Sequence, residues 1–222
     1  MVILGTRISL SDDFIDKAVA KRAEKATTDV NDPQLELALL RVCGGVPKMS
    51  FSFRTCKPTA SCDAIRVFDN AVTATLEDIV GAPLTQSARD QAALPIASGG
   101  LGVRKCLSIA PAAYLGSLAD GWKLISEMVP CAQPGRSVDE AISMHDDLTE
   151  ESIATDWENI KTLSPYAQKQ LTEQVDNHIL TSLFSNTTSI RDKARLLSIS
   201  LPHSGDWLSC VPLAVMCACC IV

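Results

Sequence analysis

SCDAIRVFDNAVTATLEDIV, residues 61–80, decides the fold class. Ile65, Phe68, Val72, Leu76 and Ile79 recur at spacings of three and four, which lines them along one face of a helix. Ser61 can cap its start, and Gly81 with Pro83 marks its stop. Working outward toward the C-terminus, residues 85–93 predict a shorter helix and residues 107–128 an alanine-rich one with Pro111 in its first turn. Its small residues Ala112, Ala113, Gly116 and Ala119 allow close helix packing. Toward the N-terminus, Asp32 followed by Pro33 opens a helix carrying Leu35, Leu39, Val42 and Val46, which Gly44, Gly45 and Pro47 weaken or end. Between residues 49 and 56 the alternation of Met49, Phe51 and Phe53 fits a strand, whereas the flanking apolar content fits a short buried helix. Residues 12–30 read as a helix with Phe14, Ala18 and Val19 on one side and Lys17, Lys21, Arg22 and Lys25 on the other. Residues 2–8 are too few for a stable helix and read as one short strand. Alone, such a strand leaves both edges unpaired, which suggests a chain cut from a larger fold.

The C-terminal half continues in the same style. Ser137 and Glu140 stand at capping-box spacing, and Thr149 can cap a helix carrying Ile153, Trp157 and Ile160. Ser164 with Pro165 opens another that bears Leu171, Val175, Ile179 and Leu183, and residues 189–198 make a last one. Hydrophobic residues at 46% and charged ones at 21% suit a folded chain that buries a real core. Residues 1–105 hold 13 Lys and Arg against 12 Asp and Glu, and the remainder 7 against 14. The second half is therefore a poor phosphate binder, because such binding rests on cations that displace counterions. Nine cysteines without a basic leader or a long apolar start read as mostly reduced, buried small hydrophobes of an intracellular protein, and no run is long enough to span a bilayer.

Several patterns invite a chemical reading. LPIASGGLGVR, residues 94–104, places paired glycines between apolar residues, which predicts a small glycine-turn hairpin near 94–103. Lys105 stands where a dinucleotide loop needs its third glycine, and no Gly-Lys-Ser/Thr run follows, so the glycines are read as a structural turn. Met144, His145, Asp146 and Asp147 loosely echo a polymerase metal-binding hairpin. They lie in a capped helical stretch without flanking strands and are read as a solvated helix face. Cys210, Cys217, Cys219 and Cys220 with His203 could hold zinc, but the crowding of three sulfurs into four residues is unlike a folded zinc module. Cys219 to Val222 also has the outline of a prenylation box, without a basic run to support it. The three histidines, His145, His178 and His203, accompany no nucleophile elbow, and His178 lies beside a core stripe. No catalytic residue, metal ligand, cofactor or small-molecule substrate is assigned.

Residues 94–104 resemble the LPIxxGGLGI element found beyond the catalytic domain in reverse transcriptase-like proteins of non-LTR retrotransposons. Leu4, Gly5 and Thr6 in their apolar run, the leucine-rich helix ending near Cys43 and Gly44, the helix from Phe68 to Gly81, and Ile109 to Tyr114 resemble further parts in the family's order. So do Ala194, Arg195, Leu196 and Leu197, and then His203 to Leu208 with its tryptophan-leucine pair. The catalytic palm that should precede Val2 is missing, and the pattern dissolves beyond Leu208. The resemblance implies the thumb-like and post-polymerase part of a longer protein: residues 1–129 a thumb-like helical region, 136–208 an acidic helical region and 209–222 an apolar, cysteine-rich tail. The expected fold is mainly α and bundle-like. The expected function is that of a non-catalytic remnant of an RNA-directed DNA polymerase, touching RNA or DNA weakly through Lys17, Lys21, Arg22 and Lys25; a repurposed helical module that binds protein is the alternative.

Overall fold

The computed structural model describes residues 2–3, 6–7, 32–149 and 156–209, and among them the chain is mainly α-helical. Helix α1, Pro33–Leu39, starts as the sequence dictates. The Asp32 carboxylate accepts from the backbone N–H groups of Gln34 at 3.0 Å and Leu35 at 3.1 Å, and Pro33 fills a position whose N–H would be idle. The α1 spiral widens into a π-helical turn, Leu40–Gly44, closed by the Gly45 N–H on the Leu40 carbonyl at 2.7 Å. Helix α2, Val46–Thr55, settles the ambiguity around Met49. Met49 and Phe53 are buried while Phe51 is exposed, whereas a strand would have put all three on one face. Pro47 therefore sits in the first turn of a new helix instead of ending the previous one.

A 3₁₀ turn, Pro58–Ser61, leads into α3, Cys62–Val80, whose stripe Ile65, Phe68, Val72 and Leu76 is buried. Gly81, at φ +74°, ends it: its N–H and that of Ala82 bond to the Glu77 carbonyl, and only glycine enters this left-handed cap at no steric cost. Thr85 caps α4, Gln86–Ala93. Then come α5, Cys106–Met128; α6, Arg136–Thr149; α7, Trp157–Thr162; α8, Ala167–Asn186; and α9, Ile190–Ile199, capped by Ser189.

The chain divides into two compact units. The first contains Lys48–Asp69 and Lys105–His178, and its core joins Ala112, Leu115 and Ala119 of α5 to Val138 and Ala141 of α6, Trp157 and Ile160 of α7, and Ala167 and Leu171 of α8. The small residues of α5 do pack closely: a Cβ on Gly116 would lie 2.7 Å from the backbone nitrogen of Gln168. Trp122 meets Trp157 edge-on, with ring centroids 5.1 Å apart. The second unit contains Asn70–Arg104 with the described parts of Ala26–Pro47 and Ile179–Val222.

Local expectations fail where a distant partner intervenes. The expected single strand over residues 2–8 is not supported: of that run, the described residues Val2–Ile3 and Thr6–Arg7 are two separate two-residue strands that pair antiparallel. The expected hairpin at residues 94–103 is absent: no strand ladder forms there. Pro111 is one turn deeper in α5 than expected, because that helix already opens at Cys106. Ser137 and Glu140 do not form a capping box; Glu140 pairs with Arg136 at 3.0 Å and accepts from Thr59 Oγ1 at 2.9 Å, while the Ser137 hydroxyl meets that of Tyr114. Thr149 ends α6 instead of opening α7, which Asp156 caps. Of the described cysteines, all free, Cys56 and Cys106 are buried, Cys62 is half-buried, and Cys43 and Cys131 are exposed, so only part of the set behaves as core. No described helix is long and apolar enough to cross a membrane.

Candidate functional site

The glycine element is a compact turn in which the backbone N–H groups of residues 98–103 are already used. Ile96–Ser98 forms a 3₁₀ turn ended by Gly99 at φ +80°. The N–H groups of Ser98 and Gly100 bond to the Pro95 carbonyl at 2.9 and 3.0 Å, Gly99 to Ile96 at 3.0 Å and Gly102 to Leu94 at 2.9 Å. Leu101 and Val103 both donate to the Ala92 carbonyl at 3.2 Å. The returning chain is thus satisfied by carbonyls at and just past the C-terminal end of α4, which is why no hairpin forms. A phosphate-cradling loop needs N–H groups that point outward, unpaired. Here they point inward. The glycines serve room instead: a Cβ on Gly100 would fall 2.0 Å from the Leu94 carbonyl oxygen, and one on Gly99 would fall 2.7 Å from Ile199 Cγ1.

Segments far apart in sequence converge on this element within the second unit. Gln91 Nε2 donates to the Gly99 carbonyl at 3.2 Å, and Ser200 Oγ donates to that of Ser98 at 3.1 Å. Ile96 packs where Gly205 lacks a side chain; a Cβ there would lie 2.4 Å from Ile96 Cγ2. The Trp207 and Leu208 carbonyls accept from Gln34 Nε2 at 3.1 Å and from Arg41 Nη2 at 3.2 Å, tying the 3₁₀ turn Asp206–Ser209 to α1 and its π turn. His203, at φ +67°, aligns its Nδ1 2.9 Å from Asp206 Oδ2.

In the first unit the acidic pair does not form a metal-binding constellation. Asp146 and Asp147 are consecutive on α6, one partly buried and one exposed, and so diverge by about 100° around the helix. Between them and the core stands His145, only 1% exposed, with Nε2 3.0 Å from the Leu171 carbonyl and Nδ1 4.0 Å from Asp146 Oδ1. The solvated-face reading holds for Asp147 and fails for His145, which α8 covers. No group of three or more His, Cys, Asp or Glu among the described residues could hold a metal ion.

One carboxylate that the sequence did not single out has a defined task. Asp69 of α3 accepts from the N–H groups of Cys106 at 2.7 Å and Leu107 at 3.0 Å, so it caps α5 from another helix. Burial pushes its carboxyl above the usual carboxylate value, against the opposing pull of the Leu107 and Cys106 N–H groups. The Cys106 thiol also donates to it. Burial first, and then the Asp69 charge, drive that thiol far up, so it is a packing group and not a nucleophile. Glu77 shows the opposite balance: the N–H of Leu84 at 3.0 Å and then Arg89 at 2.8 Å hold its carboxyl below the ordinary value.

Lys17, Lys21, Arg22 and Lys25 lie outside the described residues, as do Ile153, Cys210, Cys217, Cys219 and Cys220. His178 is half-buried on α8. Comparison of the chain with family models, with curated proteins and with solved structures finds no match.

Proposed function

We propose that the chain is a non-catalytic remnant of a retrotransposon-derived RNA-directed DNA polymerase, drawn from its thumb-like and post-polymerase region, which touches nucleic acid through Lys17, Lys21, Arg22 and Lys25. The observation that carries this reading is the convergence at the glycine element. The leucine-rich helix with Arg41, the residues 94–103, and the His203 to Leu208 segment each resemble the same family, stand in its order, and meet in one compact unit, where Gln34 and Arg41 bond to Trp207 and Leu208 and Ile96 packs on Gly205. Nucleotide transfer requires carboxylates that share two metal ions, and consecutive aspartates diverging on a helix do not supply that pair.

Titration of an RNA–DNA hybrid tests the reading. Binding falls as salt rises, because each phosphate contact releases counterions. A Lys17→Ala, Lys21→Ala, Lys25→Ala triple variant binds less and flattens that salt slope. Unchanged binding by the variant removes the contact face, and nucleotide incorporation by purified protein that depends on Asp146 and Asp147 overturns the non-catalytic assignment.

A further inference from the structure

Helix α9 is joined to the second unit by one side and presents an apolar seam on the other. Leu196 is 4% exposed and holds the inner side. Ile190 at 85%, Leu197 at 60% and the exposed Ala194 follow at spacings of four and three on the outer side, with Leu201 exposed just past the helix end. These spacings give the narrow stripe used by one helix to seat another, narrower than the arc of about 100° that an apolar face buried in a core or lipid surface presents. Cations flank it. Arg191 and Lys193 occupy the positions bordering the seam on its two sides, both exposed and without an ion pair among the described residues, while Asp192 faces away.

We infer that the Ile190–Ala194–Leu197 face of α9 docks an amphipathic helix of a partner protein whose own apolar seam is bordered by Asp or Glu. Charge complementarity selects this occupant. In a second copy of α9, Arg191 and Lys193 would meet cations in either relative direction, and like charges across a seam oppose pairing. An acidic border converts the same positions into attractive pairs and leaves the three apolar side chains to supply the contact energy. This docking face is independent of polymerase ancestry and of the Lys17 region.

The test uses the full chain and two labelled helical peptides of about 21 residues, leucine at the seam, one bordered by glutamate and one by lysine. The glutamate peptide binds, and the lysine peptide binds at least about tenfold more weakly. Leu197→Asp abolishes binding while circular dichroism stays unchanged, as its exposed site requires, and Arg191→Glu with Lys193→Glu reverses the preference between peptides. Absence of glutamate-peptide binding overturns the inference, as does binding indifferent to Leu197→Asp or to the charge reversal. A dimer of the wild-type chain that Leu197→Asp converts to monomer, or adsorption to phosphatidylserine vesicles that the same change removes, assigns the seam to another occupant and equally overturns it.

Discussion

The two units close their chains by different means. In the first, α5 packs against α6, α7 and α8 through side-chain volume, with Leu115, Leu171, Ile160 and Val138 almost fully buried around paired tryptophans. In the second, the glycine element is held by main-chain hydrogen bonds to Ala92, Leu94 and Pro95 and by polar ties from Gln91 and Ser200. Closure by volume answers to lost methylenes. Closure by backbone answers to added ones, because a Cβ has nowhere to go beside a carbonyl.

The largest expected effect lies in the first unit. Leu171→Ala removes a fully buried side chain and should cost about 2–5 kcal/mol in urea unfolding, by lost transfer energy and the cavity left behind. Leu197→Ala, on the exposed seam of α9, should stay within about 0.5 kcal/mol of wild type. A cost at Leu197 comparable to that at Leu171 would mean that the seam is core. Next come the glycines. Gly100→Ala forces a Cβ onto the Leu94 carbonyl and should cost about 1–3 kcal/mol or more. Gly81→Ala meets open space and bears only the strain of its positive φ, about 1 kcal/mol. Equal costs at the two positions would show that dihedral strain, and not room, limits the element. Gly116→Ala sharpens the contrast: its Cβ would meet the Gln168 backbone at 2.7 Å, so one point of the volume-packed unit should be as intolerant as Gly100.

What was legible in the sequence was local. The Asp32–Pro33 opening, the Ile65–Phe68–Val72–Leu76 stripe and the Gly81 stop each rest on residues within a turn or two of one another, and each is present. The glycine element was legible as a turn but not in its partners, because paired glycines announce a reversal without saying whether another strand or a helix end will accept the returning N–H groups. Asp69 was invisible as a cap. It lies 37 residues before the N–H that it receives, and only the packing of α3 against the start of α5 makes it one. His145 escaped for a similar reason: its helix reads as acidic and wet until α8 supplies the Leu171 carbonyl. The convergence of Arg41, Ile96 and Gly205 has no short-range signal at all.

Asp69 and Glu77 stand on the same helix and carry the comparison into pH, with opposite signs. The Asp69 carboxyl is raised above 3.8 by burial, so its favourable contribution is complete below that value and is lost as pH rises through the folded-state value. Wild type should therefore lose stability relative to Asp69→Asn as pH rises above 3.8. Asp69→Ala, which removes the cap altogether, should cost about 1 kcal/mol where the caps of exposed helices do. Glu77 is lowered below 4.5 by the Leu84 N–H and Arg89, so its contribution is complete above that value and is lost as pH falls through the folded-state value. The Glu77–Arg89 pair is half-open to water, which makes this the smaller effect. Wild type should gain on Glu77→Gln as pH rises toward 4.5, and lose on Asp69→Asn as pH rises beyond 3.8. Denaturant midpoints of the three proteins, taken from below to above both values, decide the matter: parallel pH profiles would mean that the α5 cap is as open to water as the Glu77 pair, and that burial at the start of α5 does not govern Asp69.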